Sequence, residues 1–174
     1  MSDLRDLQSH GPIPRHNDPT KTIAQRLWDK AIETDEGCWT WRGAVNSKGY
    51  GTTTKVKTGP GRAPRAYAHR MAWEVFNGPI PDGLYVDHVC HNRRCINPEH
   101  LRLATPAQNL ENRAGAQYNS KTGHRNVYPL PDGRFAVQVR HRHVGVFDDL
   151  VMAVATASEY RRQTMPFSEM DRVS

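Results

Sequence analysis

The sequence predicts an α+β chain of two small modules in tandem, and three observations carry that expectation. The segment from Asp87 to Leu101 concentrates a carboxylate, several imidazoles and two thiols between strand-like flanks, and a legible helix start follows it. At about residue 114 the composition turns to Ala, Gly, Gln, Asn and Ser, and beyond it come three strand patterns and one helix pattern. Three cysteines and a histidine fall at spacings that suit tetrahedral zinc. The fold expected is a zinc-stabilised strand–strand–helix domain, then a small three-stranded antiparallel sheet plus helix.

Composition narrows the function. An apolar content of 37% with mean hydropathy −0.76 supports small cores but not a large one. A formal charge of +6 and a pI near 9.5 favour a polyanionic partner, which is an argument about association and not about fold. No apolar run approaches the roughly 18 residues of a membrane span. Met1-Ser2-Asp3-Leu4-Arg5 lacks the apolar centre of a secretory signal. A cytoplasmic protein with no membrane partner is expected. Three cysteines cannot all pair within one chain, and a reducing compartment disfavours disulfides in any case. Buried thiols are the plain reading and metal ligands the sharper one.

Taken in order, residues 1–21 show no periodicity and read as a flexible leader. Ile23, Leu27, Ala31 and Ile32 recur at helical spacing, which predicts a helix from Thr22 to about Thr34. Trp39 and Trp41 alternate as strand residues do, and Gly49 to Thr54 reads as the paired strand after a turn at Asn46–Gly49. A basic loop follows with Arg62 and Arg65. Ala66–Phe76 is an amphipathic helix stopped by Asn77-Gly78-Pro79, with His69 and Arg70 as ordinary surface or packing residues. Leu84–Val86 is a short strand that delivers Asp87 and His88 at its end, and Leu101–Ala104 resumes the alternation. Thr105, Pro106 and Gln108 together mark a capped helix start, which puts Asn109 in the first full turn. This module spans 22–113, with a linker over 114–120. Strands are expected at Asn126–Tyr128, Arg134–Arg140 and His143–Phe147. A helix capped by Asp148 runs to about Arg162 and buries Val151, Val154, Ala155 and Tyr160. That second module spans 121–164, and 165–174 is a tail without clear signal.

Two constellations bear chemistry. Cys90, Cys95 and His100 are separated by two four-residue gaps and, with Cys38, make a standard structural zinc set. His91 is an alternative ligand, but spacing favours His100. Asp87 and Asn109 offer oxygen donors to a hard cation such as magnesium, which keeps waters and substrate phosphate in its shell. His88 leaves the strand on the opposite face from Asp87 and can act as general base, since its unperturbed pKa lies near neutrality.

Asp87-His88, Asn97, His100-Leu101-Arg102 and Asn109 together resemble the HNH endonuclease motif, a ββα-metal fold. Cys90 through Leu101 is similar to the His-Cys box of certain homing endonucleases. Cys38-Trp39-Thr40-Trp41, Gly49-Tyr50-Gly51 and His69-Arg70-Met71-Ala72-Trp73 are similar to phage HNH homing endonucleases. The likeness covers roughly residues 23 to 113. It implies a site-specific, metal-dependent endonuclease of double-stranded DNA, at work in the host cytoplasm if phage-encoded. His88 would be the base, Asp87 and Asn109 would hold magnesium or another divalent cation, and Cys38, Cys90, Cys95 and His100 would hold zinc. Asn97 would bond the loop backbone and orient His88. Arg65 or Arg62 would steady the transition state.

Gly133–Arg140, Val144–Asp148 and Ala153–Arg162 resemble the Apetala-type (ethylene-response-factor) DNA-binding domain, which also occurs fused to phage HNH nucleases. Phe135 stands where that family has tryptophan. The resemblance implies a sheet lying in the major groove, where arginines read guanine edges. Arg125, Arg134, Arg140 and Arg142 are the candidate base readers, with Lys121 and His143 on phosphates. A DNA-binding regulator with an inert nuclease-like head is the alternative.

Overall fold

The computed structural model describes residues 20–55 and 64–172. Arg62, the Gly59-Pro60-Gly61 loop and almost all of the expected leader lie outside the described residues. Contacts divide the chain into two compact units, Met1–Ala104 and Thr105–Ser174.

In the first unit, helix α1 (Ile23–Trp28) opens on a capping box in which Thr22 and Gln25 each accept a backbone N–H from the other. The helix stops six residues short of the expected Thr34. Ala31 and Ile32 leave helical spacing to form strand β1 (Ala31–Glu33), antiparallel to β2 (Trp39–Trp41). Local periodicity misled there because a non-local partner, the tryptophan strand, captured the segment. The Trp28 and Trp39 rings meet edge to face at 4.5 Å.

A second correction concerns the strand after the Asn46–Gly49 turn. Strand β3 (Thr52–Thr54) pairs with β4 (Arg65–Tyr67), not with the tryptophan strand. The second edge of β2 is taken by the cysteine loop: Trp41 N–H donates to the Arg94 carbonyl at 2.8 Å, and Ile96 N–H to the Trp39 carbonyl at 2.9 Å. Trp41 is the deepest large side chain, 1% exposed. A Cβ on Gly43 or Gly51 would sit 2.5 or 2.7 Å from its indole, so both glycines are there to admit the ring.

Helix α2 (Ala68–Asn77) begins two residues later than expected and ends at Gly78, whose φ of +87° suits glycine. Its Ala68, Met71 and Ala72 pack with Leu27, Trp41, Val86, Ile96 and Leu101 into one core. Strands β5 (Tyr85–His88) and β6 (Leu101–Ala104) pair antiparallel, Asp87 opposite Arg102 and His88 opposite Leu101. A single 3-10 turn at Pro98–His100 leads into β6, capped by the Asn97 carboxamide.

The second unit opens on α3 (Pro106–Glu111), capped by Thr105 and Gln108 in the expected capping box. Strands β7 (Val127–Pro129), β8 (Phe135–Val139) and β9 (Arg142–Phe147) form one antiparallel sheet in sequence order. Arg140 and His141 make its two-residue turn with φ of +48° and +62°, a left-handed geometry that glycine or asparagine adopts more cheaply. Helix α4 (Leu150–Thr164) is capped by Asp149 rather than Asp148: its Oδ1 accepts the Met152 N–H at 2.8 Å. Of the residues expected on its buried side, Val154 and Tyr160 pack on the core, partly buried. Val151 is 73% exposed and Ala155 is exposed, while Ala153 and Ala157 are fully buried against Val127, Val137 and Val139. Two alanines one turn apart let the helix approach the sheet closely.

The segment after α4 is built into this unit. Met165, Ser168 and Asp171 are buried. The Arg161 guanidinium meets the Asp171 carboxylate twice, at 2.6 and 2.9 Å, and Ser158 and Ser168 hydroxyls donate to the same carboxylate. Burial works to raise the Asp171 pKa, but Arg161 and the two hydroxyls outweigh it and hold the carboxyl below its usual range. Arg125, expected among the base readers, turns its guanidinium inward. It donates to the Glu111 carbonyl at 2.6 Å, the Ser168 hydroxyl at 3.0 Å and the Arg113 carbonyl at 3.2 Å.

Candidate active site and metal centre

Strand residues alternate faces, so β5 sends Asp87 and His88 to opposite sides. Both are nearly buried, 7% and 6% exposed. The Asp87 carboxylate receives Arg102 Nε at 3.1 Å, an ion pair set by the strand register and unsuspected from sequence.

His88 Nε2 lies 3.1 Å from the Cys95 carbonyl oxygen. A carbonyl only accepts, so Nε2 carries the ring proton and the lone pair resides on Nδ1. The expected orienting group, Asn97, does bond loop backbone, its Oδ1 accepting the Glu99 N–H at 3.0 Å, and its amide donates to the Gly37 carbonyl of the β1–β2 turn at 2.8 Å. Orientation of His88 comes instead from the Cys95 carbonyl. Burial pushes the His88 pKa down; the Cys95 carbonyl and the charges of Cys90 and Asp87 oppose this, and Arg93 adds to it.

His69, assigned from sequence to surface or packing, is buried against His88. Its ring centroid is 4.6 Å from that of His88, and Tyr50 and Tyr67 flank it at 5.6 and 5.5 Å. Burial first, then the neighbouring His88 and Arg70, lower its pKa to about 3, and its Nδ1 finds no hydrogen-bond partner among the described residues. Sequence periodicity did mark the helix, but not that its first turn faces a second imidazole.

The metal centre follows the expected set. Ligand atoms of Cys38, Cys90, Cys95 and His100 all lie within 4.8 Å of one another. Zinc with arms of about 2.3 Å to sulfur gives tetrahedron edges of about 3.8 Å. His100 Nδ1 is 3.4 Å from Cys38 Sγ and 3.7 Å from Cys95 Sγ, so the cluster can hold zinc. The thiols already share charge. Hydrogen bonding from Cys95 holds Cys90 down at about 5, the same contact with burial drives Cys95 up, and burial with the Cys90 charge raises Cys38. A divalent cation suits such a cluster, because ligands bind as thiolates. His91 stays outside it.

The remaining expected residues lie on other elements. Arg65 is exposed on β4. Asn109 sits on α3 in the second unit, its N–H bonded to the Thr105 carbonyl. Arg134 pairs with Asp132 at 2.8 Å, both half-exposed. Arg140 pairs with the buried Glu111 carboxylate. Lys121, Arg142 and His143 are exposed.

Residues 66–111 match the HNH endonuclease family. This span is an HNH endonuclease domain. Protein 7.7 of Escherichia phage T7 is 46% identical over 76 residues, which cover 44% of this chain and 54% of that protein. Protein 2.8 of the same phage is 37% identical over 87 residues, 50% of this chain and 56% of that one. An uncharacterized HNH endonuclease of Acanthamoeba polyphaga mimivirus is 38% identical over 60 residues, 34% of this chain and 31% of its own. The chain thus spans about half the length of the two phage proteins. No solved structure matches it. The HNH domain holds Asp87, His88, three of the four cluster ligands and Asn109, whereas Cys38 and Tyr50 lie upstream of it. Among the described residues no helix is long and apolar enough to cross a membrane.

Proposed function

We propose that this chain is a metal-dependent, site-specific DNA endonuclease of the homing type, at work in the cytoplasm of a phage-infected host. The observation that carries the reading is the link between the two centres. Cys95 offers its sulfur to the metal cluster and its carbonyl to His88, so the cluster that orders the loop also aims the base. Metal sites commonly hold neighbouring groups in this way.

In this reading His88 Nδ1 takes a proton from water, and the water oxygen attacks phosphorus. The bond to the 3′ oxygen breaks, the departing oxygen takes up a proton, and the ends are a 5′-phosphate and a 3′-hydroxyl. Asp87 and Asn109 would hold magnesium or another divalent cation, whose charge offsets the negative charge gathering on the phosphate. Cys38, Cys90, Cys95 and His100 would hold structural zinc. Asn109 enters on the order of the HNH motif, and so does Arg65 or Arg62.

The second unit would supply site affinity to double-stranded DNA in the manner of an Apetala-type domain. Its support is the order of three antiparallel strands backed by one helix, with Gln138 and Tyr128 exposed on the sheet. Arg134, Arg140, Arg142 and Lys121 are exposed; the Arg134–Asp132 pair is half-exposed, so exchanging it for DNA costs little.

A second reading, a DNA-binding regulator with an inert head, draws on the Arg102–Asp87 ion pair, since a guanidinium already neutralises the carboxylate. Supercoiled plasmid incubated with the protein and magnesium separates the two. Nicked and linear products that vanish with chelator support the nuclease; binding without strand breaks supports the regulator.

A further inference from the structure

The HNH resemblance leaves its transition-state arginine open between Arg62 and Arg65. The structure offers a third guanidinium, better anchored than that of Arg65 among the described residues. Arg93 is exposed in the loop between the cluster cysteines Cys90 and Cys95. An arginine side chain ordinarily samples many rotamers, yet Arg93 is fixed at two points. Its Nη1 donates to the Lys48 carbonyl at 2.9 Å, and its guanidinium carbon lies 5.4 Å from the centroid of the Tyr50 ring. That ring sits 6.1 Å from His88 and 5.6 Å from His69. A guanidinium has five N–H donors, and Lys48 is the acceptor it reaches among the described residues. Stacking on an aromatic face leaves the edge of the fork, where the donors are, available to an anion. Arg65, by contrast, stands exposed on β4 with no such anchor among the described residues.

We propose that Arg93 binds the phosphate at the bond being cut, held beside the base by Tyr50 and the Lys48 carbonyl. Bidentate recognition of a phosphodiester by a planar fork, in place before the substrate arrives, is what lowers the barrier to charge build-up there. The inference rests on the nuclease reading and assigns one residue within it. A simple clamp between the Asn46–Tyr50 turn and the cysteine loop would use the same anchors, so the test must separate binding, folding and cutting.

Full-length protein loaded with zinc is used in excess over supercoiled plasmid DNA with magnesium, and single-turnover nicking is timed. Affinity for the same DNA, zinc content and thermal midpoint are measured alongside. Arg93→Gln should cut about 100-fold more slowly, with DNA affinity within about threefold, and Arg93→Lys should recover about tenfold of that loss. Cutting by Arg93→Gln within about threefold of wild type overturns the inference. So does a loss matched by falling zinc content and thermal midpoint, which is the clamp's signature. Should Arg93→Gln not fold, Arg93→Lys decides: it keeps stem and charge but not the fork, and wild-type cutting by it overturns the assignment. A wild-type protein that never cuts removes the nuclease reading and this inference together. A cutting wild type with an unimpaired Arg93→Gln removes the inference alone.

Discussion

Residues 20–104 and 105–172 reach order by different means. In the first unit the critical loop has little apolar surface: between Val89 and His100 only Cys95, Ile96 and Asn97 are buried. Little hydrophobic burial is available to such a segment; it has instead a four-ligand cluster and two backbone hydrogen bonds to the tryptophan strand. The second unit has an ordinary core of valines and alanines under one helix, closed at its C-terminal end by the buried Arg161–Asp171 pair. The order that a metal at this cluster would supply is localised and can be removed chemically. Order held by packing is distributed and yields only to changes in the side chains themselves.

The largest expected effect breaks the first unit alone. Cys95→Ser, or zinc removal by chelation, should abolish order in the loop, because structural zinc contributes on the order of 10 kcal/mol in small metal-folded domains. Amide exchange should rise across 85–104 while Val137 and Val139 keep their protection. Equal exchange in both regions would show that the cluster carries no special weight. Asp171→Ala is the counterpart in the second unit. Stranding the Arg161 guanidinium should cost about 3–5 kcal/mol in denaturant unfolding while zinc content is unchanged.

Acid sharpens the contrast further. His69 has its folded pKa depressed to about 3, so the unfolded chain binds the extra proton between pH 6.5 and 3. Stability from this group is therefore full above about pH 6.5 and falls on acidification, by up to about 1.4 kcal/mol per pH unit. His69→Phe should flatten that slope in unfolding measured from pH 7 to 5. The smallest effect lies in the β8–β9 turn, where His141→Gly relieves a left-handed backbone and should raise stability by about 1 kcal/mol.

Much of the site was legible because its signals are local. The spacing of Cys90, Cys95 and His100 pointed to the cluster, and Thr105, Pro106 and Gln108 marked the helix start residue by residue. Alternation found β5, β6, β8 and β9. What escaped depends on partners distant in the chain. Ala31 and Ile32 sit at helical spacing until Thr40 and Trp41 claim them, and β3 finds Arg65–Tyr67 instead of the nearer tryptophan strand. His69 shows its importance only once α2 lies against β5. Arg125 reads as a base contact through the Apetala-type resemblance; inward-facing acceptors contributed by Glu111 and Ser168 reverse that reading.

One comparison tests the coupling of metal cluster to base most directly: plasmid cleavage and DNA affinity of His88→Ala beside wild type, both zinc-loaded and supplied with magnesium. Loss of a general base should lower the cleavage rate about 10²–10⁴-fold, with zinc content and DNA affinity retained. Cleavage and affinity falling together, or cleavage undiminished, would contradict the placement of His88 at the chemistry.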